Sequence, residues 1–220
     1  MSRASNRAEV HERFKKDTAE HQMTVLRDDG LYRHLRFRKP GTGIYGFDIV
    51  TWPGYLAISG DMGASMFTRL EDMIQFFRQD PDGELSINPG YWHEKCVAND
   101  GDAKEFSRDL LTAYVKDSFD NFVKESKDED GVDPEWAADL WSEITSDIVG
   151  QADETPTVQT AIEAMQEFEP EDERYKEFRF HDAWEASRSL EDYTFHFLWR
   201  LYAIAHAVRA YDAAKATVPG

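Results

Sequence analysis

Short apolar segments separated by tight-turn residues occupy residues 22–69, and they restrict the fold more than any other feature of the chain. The turn sequences are Asp28-Asp29-Gly30, Lys39-Pro40-Gly41-Thr42-Gly43, Trp52-Pro53-Gly54 and Gly60-Asp61-Met62-Gly63. Connections this short join antiparallel neighbours, because parallel strands need a crossover of a dozen residues or more. The pattern therefore predicts an antiparallel β-meander, with strands near 23–27, 31–38, 44–50, 55–59 and 64–69.

After residue 69 the apolar residues recur at helical spacing instead of alternating. Proline is favoured at the first position of a helix, so Pro134 and Pro156 each mark a helix start, with Asp133 the expected cap of the first. The last helix is apolar on nearly every side, which is typical of a helix buried in a core. Helices are predicted over 5–20 (a surface helix or frayed arm), 70–78, 102–124, from 134, from 156 to about 168, and from 189 to about 215.

These patterns predict an α+β fold in one domain over residues 1–220. An antiparallel sheet over 22–69 is expected to pack with a mainly α-helical part over 70–220. The chain has 220 residues and a 41% apolar fraction, enough for one large core.

The charge of the chain is distributed unevenly. The formal net charge is −18, but residues 1–70 carry 11 Lys or Arg against 8 Asp or Glu, whereas residues 71–220 carry 14 against 35. The acidic segment 128–173 contains 16 Asp or Glu and no Lys or Arg. Such a concentration of charge creates a negative field that favours positively charged partners.

Part of the acidic segment has helical spacing. Carboxylates recur every four residues from 135 to 147, so a continuous helix aligns them in a stripe about 18 Å long. One interpretation is a solvated surface, neutralised in part by basic residues of the sheet. The other is a surface that occupies a basic groove on another protein, including by imitation of a nucleic acid. The predicted partner-binding residues are Glu135, Asp139, Glu143, Asp147, Glu163, Glu167 and Glu171.

A basic strand over 32–39 interleaves cations with aromatic residues. Alternation sends Tyr32, His34, Arg36 and Arg38 to one face of the sheet. Such a face suits single-stranded nucleic acid, but the acidic remainder of the chain repels phosphates. We therefore expect the basic strand to pair internally with the acidic helices, and we expect no direct binding of nucleic acid.

Metal and cofactor patterns are weak. Aligning Asp128-Glu129-Asp130-Gly131 with a calcium-binding loop puts Ser126 at its first position and Ala137 at its last, and the loop needs an oxygen-rich ligand and a glutamate there. The turn at 60–63 is not followed by the helix that a phosphate-binding glycine loop requires. We therefore expect no metal site and no cofactor.

Catalytic residues are equally hard to assign. The seven histidines form no His-Glu-x-x-His pair, and Cys96, although it follows His93-Glu94-Lys95, would need a base placed beside it by the fold to act as a nucleophile. An enzyme acting on nucleic acid or a nucleotide is kept as the alternative function. Its site would use some of four residues near the sheet: His34, Asp48, Asp61 and His93.

The expected location is the cytoplasm. Cys96 is the single cysteine, so the chain forms no internal disulfide, which suits a reducing compartment. The first residues lack the apolar core of a signal peptide. The most apolar stretch, 193–211, is interrupted by two His and two Arg, so we expect no membrane span. Self-association through the helix at 190–213, giving a homodimer, is a further hypothesis.

Several strings of the chain are characteristic. They are Gly30-Leu31-Tyr32-Arg33-His34-Leu35, Phe47-Asp48, Thr51-Trp52-Pro53-Gly54-Tyr55-Leu56, Gly60-Asp61-Met62-Gly63, Tyr91-Trp92-His93-Glu94-Lys95, Asp182-Ala183-Trp184-Glu185, Phe197-Leu198-Trp199 and Tyr202-Ala203-Ile204. With these strings the chain resembles a family of phage and prophage proteins over residues 20–98 and 180–213, which leaves out the acidic segment. The resemblance implies a phage-borne accessory protein in a host cytoplasm; no activity is assigned to the family, so it carries over no functional residue.

Acidic proteins in that setting often inhibit host defence by binding, as anti-CRISPR proteins do. The expectation is therefore a non-catalytic protein that binds and blocks a basic host protein, such as a nucleic-acid-binding defence complex.

Overall fold

The computed structural model describes residues 3–80, 83–126, 134–150 and 157–216. The chain divides into two compact units, which we name the sheet unit (Ala4–Ala103 with Tyr193–Gly220) and the acidic unit (Met1–Arg3 with Lys104–Asp192). Each unit has its own hydrophobic core. The single domain expected over 1–220 stays a prediction.

An antiparallel sheet of six strands forms the centre of the sheet unit. The strands follow one another in space in chain order, so each is paired with its neighbour in sequence. This confirms the α+β class and the N-terminal meander. The strands are β1 (Gln22–Asp29), β2 (Tyr32–Arg38), β3 (Phe47–Trp52), β4 (Tyr55–Gly60), β5 (Gly63–Thr68) and β6 (Cys96–Asn99).

Two-residue turns set the register between most of these strands. Trp52 pairs with Tyr55 across the Pro53-Gly54 turn, where Gly54 has a φ of 84°. A residue with a Cβ adopts that conformation only with strain, so glycine is required there. In the next turn, Gly60 pairs with Gly63, as the hairpin prediction required.

Alternate residues of the strands face the core of the sheet unit. Leu35, Phe37, Phe47 and Ile49 are almost fully buried, while the residues between them are more exposed. Helices pack on this inner face: α1 (Arg3–Thr18), α2 (Met73–Phe77), α3 (Pro89–His93) and α7 (Phe195–Ala216).

Helix α1 decides between the two expected alternatives, a surface helix and a frayed arm. It is a surface helix with most of its residues exposed, and Val10 and Phe14 are 2% and 1% exposed and belong to the core. Phe14 contacts the rings of Trp199 and Tyr202, so two well-placed side chains anchor a helix that is otherwise polar.

Helix α7 is surrounded by protein, as its composition predicts. All residues from Phe197 to Ala205 are buried, including Arg200. Its start differs from the prediction, because residues 191–193 form a strand and the helix begins at Phe195. Thr194 accepts the Phe197 backbone N–H on its side-chain oxygen, so Thr194 caps the helix instead of Ser189.

The acidic unit is mainly helical around a second core. It contains α4 (Arg108–Glu125), α5 (Pro134–Ile144), a π-helical turn (Thr145–Gly150), α6 (Val158–Glu167) and two 3-10 turns (Glu173–Tyr175 and Ala183–Arg188). Strands β7 (Lys104–Phe106) and β8 (Glu191–Tyr193) pair with each other. The helix predicted to begin at 102 therefore begins after β7, with Ser107 as its cap.

Two predicted helix starts lie at or beyond the edge of the described residues. Helix α5 begins at Pro134 as predicted, and its expected cap, Asp133, lies outside the described residues. Pro156 also lies outside them. The next helix begins at Val158, where Thr157 and Thr160 form a reciprocal capping box.

Candidate protein-binding surface

The two units differ strongly in net charge. The acidic unit carries 26 Asp or Glu against 10 Lys or Arg, a net of −16. The sheet unit carries 17 against 15, a net of −2. Nearly all of the net charge of −18 therefore belongs to one unit.

Helix α5 carries the first part of the predicted carboxylate stripe. Glu135 and Asp139 are exposed and lie one helical turn apart. Leu140, one residue after Asp139, and Ile144, one turn further along the helix, are fully buried in the core of the acidic unit. Burial of this apolar stripe turns the carboxylates outward, as the periodicity predicts.

The stripe does not continue straight to Asp147. Residues 145–150 form a π-helical turn, which has more residues per turn than an α-helix. The Thr145 hydroxyl lies 3.0 Å from the carbonyl oxygens of both Trp141 and Ser142, at the point where the backbone hydrogen bonds change from the α-helical to the π-helical pattern. Asp147 is exposed, but the four-residue spacing no longer aligns it with Glu135 and Asp139. The expected straight stripe of four carboxylates is therefore wrong.

Glu143 has an internal role. Its Oε1 accepts a hydrogen bond from the backbone N–H of Glu171 at 2.6 Å, and its side chain is only partly exposed. The bond ties α5 to the segment that follows α6. Glu143 is thus held within the acidic unit.

Helix α6 carries two of the remaining three predicted carboxylates. Glu163 and Glu167 are exposed on it, and Glu163 accepts a hydrogen bond from Gln159 Nε2 at 2.7 Å. The helix ends at Glu167 because Phe168 adopts an extended conformation. Glu171 is exposed but lies outside the helix, so the four-residue spacing does not align it with Glu163 and Glu167 on one helix face.

Nearby cations relieve part of the acidic field. Arg179 Nη2 lies 3.8 Å from Glu169 Oε1, and Lys176 Nζ lies 3.3 Å from Glu173 Oε1. Both pairs are well exposed, so each contributes little to stability. They lie at the C-terminal end of the acidic segment, away in sequence from Glu135 and Asp139.

The basic strand β2 pairs with carboxylates of its own unit. Arg33 donates to both oxygens of Asp72, Arg36 donates to both oxygens of Asp48, and Lys39 donates to Glu20. Within the described residues, none of these partners belongs to the acidic helices. The expected pairing with those helices is therefore wrong for Arg33, Arg36 and Lys39, whose partners are Asp72, Asp48 and Glu20 of the sheet unit.

The four residues of the alternative enzyme site are not gathered together. His34 Nε2 lies 3.0 Å from Asp48 Oδ2, so these two meet on the sheet. Asp61 instead accepts the backbone N–H of Tyr45 at 2.9 Å. His93 packs against the rings of Tyr193 and Phe197.

The other chemical candidates have structural roles. Cys96 is partly buried, burial raises the pKa of its thiol, and its Sγ donates to the Ala98 carbonyl. A thiol of that kind is a poor nucleophile. Among the residues that the structure describes, no group of three or more His, Cys, Asp or Glu is arranged to hold a metal ion.

A cleft of about 460 Å³ lies between α1 and the loop that joins β2 to β3. Its charged groups are largely matched: Arg13 donates to Asp17 at 2.9 Å and Lys39 to Glu20 at 2.6 Å. The cleft therefore has little net charge and lies in the unit that carries little net charge. Its lining residues are Arg13, Lys16, Asp17, Glu20, Lys39, Thr42, Ile44 and Tyr45.

Sequence reasoning missed one surface feature, a row of aromatic side chains on the sheet. Trp52 and Tyr55 stack with their ring centres 5.3 Å apart, on the face of the sheet turned away from the core of the sheet unit. The same face also carries Tyr32. The signal was available in the sequence, because the two-residue turn Pro53-Gly54 pairs the residues that flank it.

Comparisons with protein-family models, with curated proteins and with solved structures find no match to this chain. None of the described helices is long and apolar enough to cross a membrane.

Proposed function

We propose that this protein is a phage-type accessory protein that binds and blocks a basic surface of a host protein through the acidic unit. The observation that carries the proposal is the net charge of −16 on that unit against −2 on the sheet unit. Such a field speeds association with a basic partner and disfavours acidic ones. Basic surfaces of this kind are common where proteins hold nucleic acid.

The contact residues follow from exposure. Of the seven predicted carboxylates, six are exposed and Glu143 is partly buried in a hydrogen bond with Glu171. The contact surface is therefore assigned to Glu135, Asp139, Asp147, Glu163, Glu167 and Glu171.

Nucleic-acid imitation is the finer form of the proposal. A copy of a phosphate backbone needs regular spacing, but the π-helical turn displaces Asp147 and the end of α6 displaces Glu171. The geometry thus favours general charge complementarity over a copy of duplex spacing.

The test is a charge reversal matched for net charge. Glu135, Asp139 and Asp147 are changed together to Lys, and the control changes three exposed carboxylates of the sheet unit, Glu9, Glu71 and Glu84, to Lys. Each variant gains six positive charge units relative to the wild type. A host protein captured by the wild type is purified, and its affinity for each variant and its nucleic-acid binding are measured at low and high salt.

The proposal expects the reversal on the acidic unit to abolish binding while the control retains most of it. Added salt should weaken the wild-type complex, since exposed charges are screened. The captured protein should lose nucleic-acid binding when the wild type is added. Equal losses in both variants, or binding insensitive to salt, would reject an acidic contact surface.

A further inference from the structure

The face of the sheet turned away from the sheet unit's core, here named the outer face, carries a row of three aromatic side chains. Trp52 of β3 and Tyr55 of β4 are a cross-strand pair with stacked rings. Continuing the register that pairs Arg33 with Thr51, Tyr32 of β2 lies on the other side of Trp52. The row therefore crosses three adjacent strands at one end of the outer face.

These rings are accessible instead of buried. Tyr32 is 46% exposed and Tyr55 is 37% exposed, while Trp52 is partly exposed. A single exposed aromatic residue is ordinary, but contiguous ones form a patch of the kind that marks binding sites. None of the three belongs to the core of the sheet unit.

A fixed group of polar side chains lies further along the same face. Asp48 accepts from Arg36 Nε at 3.0 Å and Nη2 at 2.8 Å, and its Oδ2 lies 3.0 Å from His34 Nε2. Burial alone would raise the pKa of Asp48, but the hydrogen bonds from Arg36 and His34 outweigh it and lower that pKa. Asp48 is therefore a charged acceptor held in place, with acceptor capacity left over.

On the outer face, β4 and β5 present uncharged side chains, with Ala57 opposite Met66 and Ser59 opposite Ala64. At the other edge of the row, Arg27 lies over the Tyr32 ring, 5.1 Å from its centre, and pairs with Asp29 at 3.1 Å. Arg27 and Arg36 thus each lie beside a carboxylate on this face.

We propose that the outer face binds a neutral glycan chain, with a sugar ring packed against the aromatic row of Tyr32, Trp52 and Tyr55 and hydroxyl groups bonded to Asp48, Arg36 and His34. The apolar C–H face of a sugar ring packs on an aromatic ring, and its hydroxyls form charge-assisted bonds with a carboxylate and a guanidinium.

The charges favour a neutral ligand over a polyanion. Single-stranded nucleic acid also stacks on exposed aromatic residues, but its backbone needs unmatched cations. Of the three arginines on this face, Arg27 and Arg36 already pair with Asp29 and Asp48. At most Arg38 is therefore left to meet a phosphate, and the chain carries a net charge of −18. This proposal does not depend on the function proposed for the acidic unit.

The experiment titrates the full chain with cellohexaose, chitohexaose, maltohexaose, mannohexaose and a poly-dT oligonucleotide, and measures binding by calorimetry. At least one of the four neutral sugars should bind. Trp52→Thr and Tyr55→Thr, which keep a strand-favouring residue, should each weaken that binding about three- to tenfold. Asp48→Asn should also weaken it.

The controls remove exposed aromatic residues from other places. Tyr91→Ala on α3 and Trp184→Ala in the acidic unit should leave binding unchanged, since these side chains are 42% and 61% exposed but do not belong to the strands of the sheet. Circular dichroism and thermal unfolding verify that each variant is folded. The proposal is rejected if none of the four sugars binds, if the control variants weaken binding equally, or if poly-dT binds more tightly and in a Trp52-dependent way.

Discussion

The carboxylate of Glu143 accepts a hydrogen bond from the backbone N–H of Glu171, with Oε1 and N 2.6 Å apart. A side chain that the sequence places in a solvent-facing stripe is thereby an internal connector of the acidic unit. We therefore expect substitution of Glu143 to lower the stability of the protein, with any effect on partner binding secondary to that loss.

Glu143→Ala is expected to lower the free energy of unfolding by about 1 kcal/mol, because the Glu171 N–H loses its acceptor. Glu143→Gln keeps an acceptor oxygen and should lose less. Glu167→Ala removes an exposed carboxylate and should change stability by less than about 0.5 kcal/mol. Urea unfolding of the three variants measures the differences, and equal losses in Glu143→Ala and Glu167→Ala would contradict the assignment.

Acid should destabilise the sheet unit through His206. This ring packs against Phe14 and Phe37, and burial lowers its pKa, with His21 and Arg209 lowering it further. The unfolded chain therefore takes up the proton first, starting near the ordinary value of 6.5. The contribution of His206 is complete above that pH and is lost as the pH falls toward the folded-state pKa.

His206→Leu should flatten this pH dependence. The free energy of unfolding of the variant, measured by urea titration at several pH values between about 5.5 and 7.5, should vary less than that of the wild type. Some dependence should remain, because burial also lowers the pKa of His11, whose ring stacks on Tyr202. An unchanged slope in the His206→Leu variant would show that His206 does not carry the effect.

The sheet could be predicted from sequence because its determinants are local. Turns such as Pro53-Gly54 fix both the pairing and the register, and alternation then fixes the faces. The start of α7 could not be predicted in this way. Residues 189–192 have the local pattern of a helix cap, but pairing of β8 with β7, distant in sequence, holds Glu191 and Asp192 extended.

Only part of the candidate surface could be predicted from sequence, because the rest depends on contacts between segments that are distant in sequence. Four-residue spacing correctly predicted exposed carboxylates at Glu135 and Asp139 on α5. It could not reveal that Glu143 meets the backbone of Glu171, because that contact joins segments 28 residues apart. The basic strand was misassigned likewise, since its partners Asp72 and Glu20 are set by tertiary packing.

Asp61 should stabilise a strained backbone at Tyr45. Tyr45 has a φ of 56°, a left-handed conformation that costs a non-glycine residue about 1–2 kcal/mol. Asp61 Oδ2 accepts the Tyr45 N–H at 2.9 Å and holds the conformation in place. Asp61→Ala should lower the free energy of unfolding by about 1–2 kcal/mol and Asp61→Asn by less. Thermal or urea unfolding tests this, and a neutral Asp61→Ala variant would show that other contacts hold Tyr45.

Arg200 is a cation buried within α7, 2% exposed, and it connects the helix to one edge of the sheet. Its Nη1 donates to the Met62 carbonyl at 2.8 Å, and its Nη2 donates to Asn99 Oδ1 at 3.1 Å. Met62 lies in the turn between β4 and β5, and Asn99 ends the edge strand β6. Burial lowers the pKa of Arg200, but a guanidinium stays protonated in a protein.

Substitution by methionine is expected to change the free energy of unfolding differently at two arginines of α7, Arg200 and Arg209. Arg200→Met keeps much of the volume but leaves the Met62 and Asn99 oxygens without this donor, and should cost about 2–3 kcal/mol. Arg209 Nη2 is buried without a hydrogen-bond partner in the described structure, so Arg209→Met should be neutral or stabilising. Urea unfolding gives both values, and amide exchange adds a local measure: Arg200→Met should speed exchange in β6 more than in β2 and β3. A loss confined to Arg209→Met, or uniform exchange across the sheet, would mean that Arg200 does not hold the β6 edge.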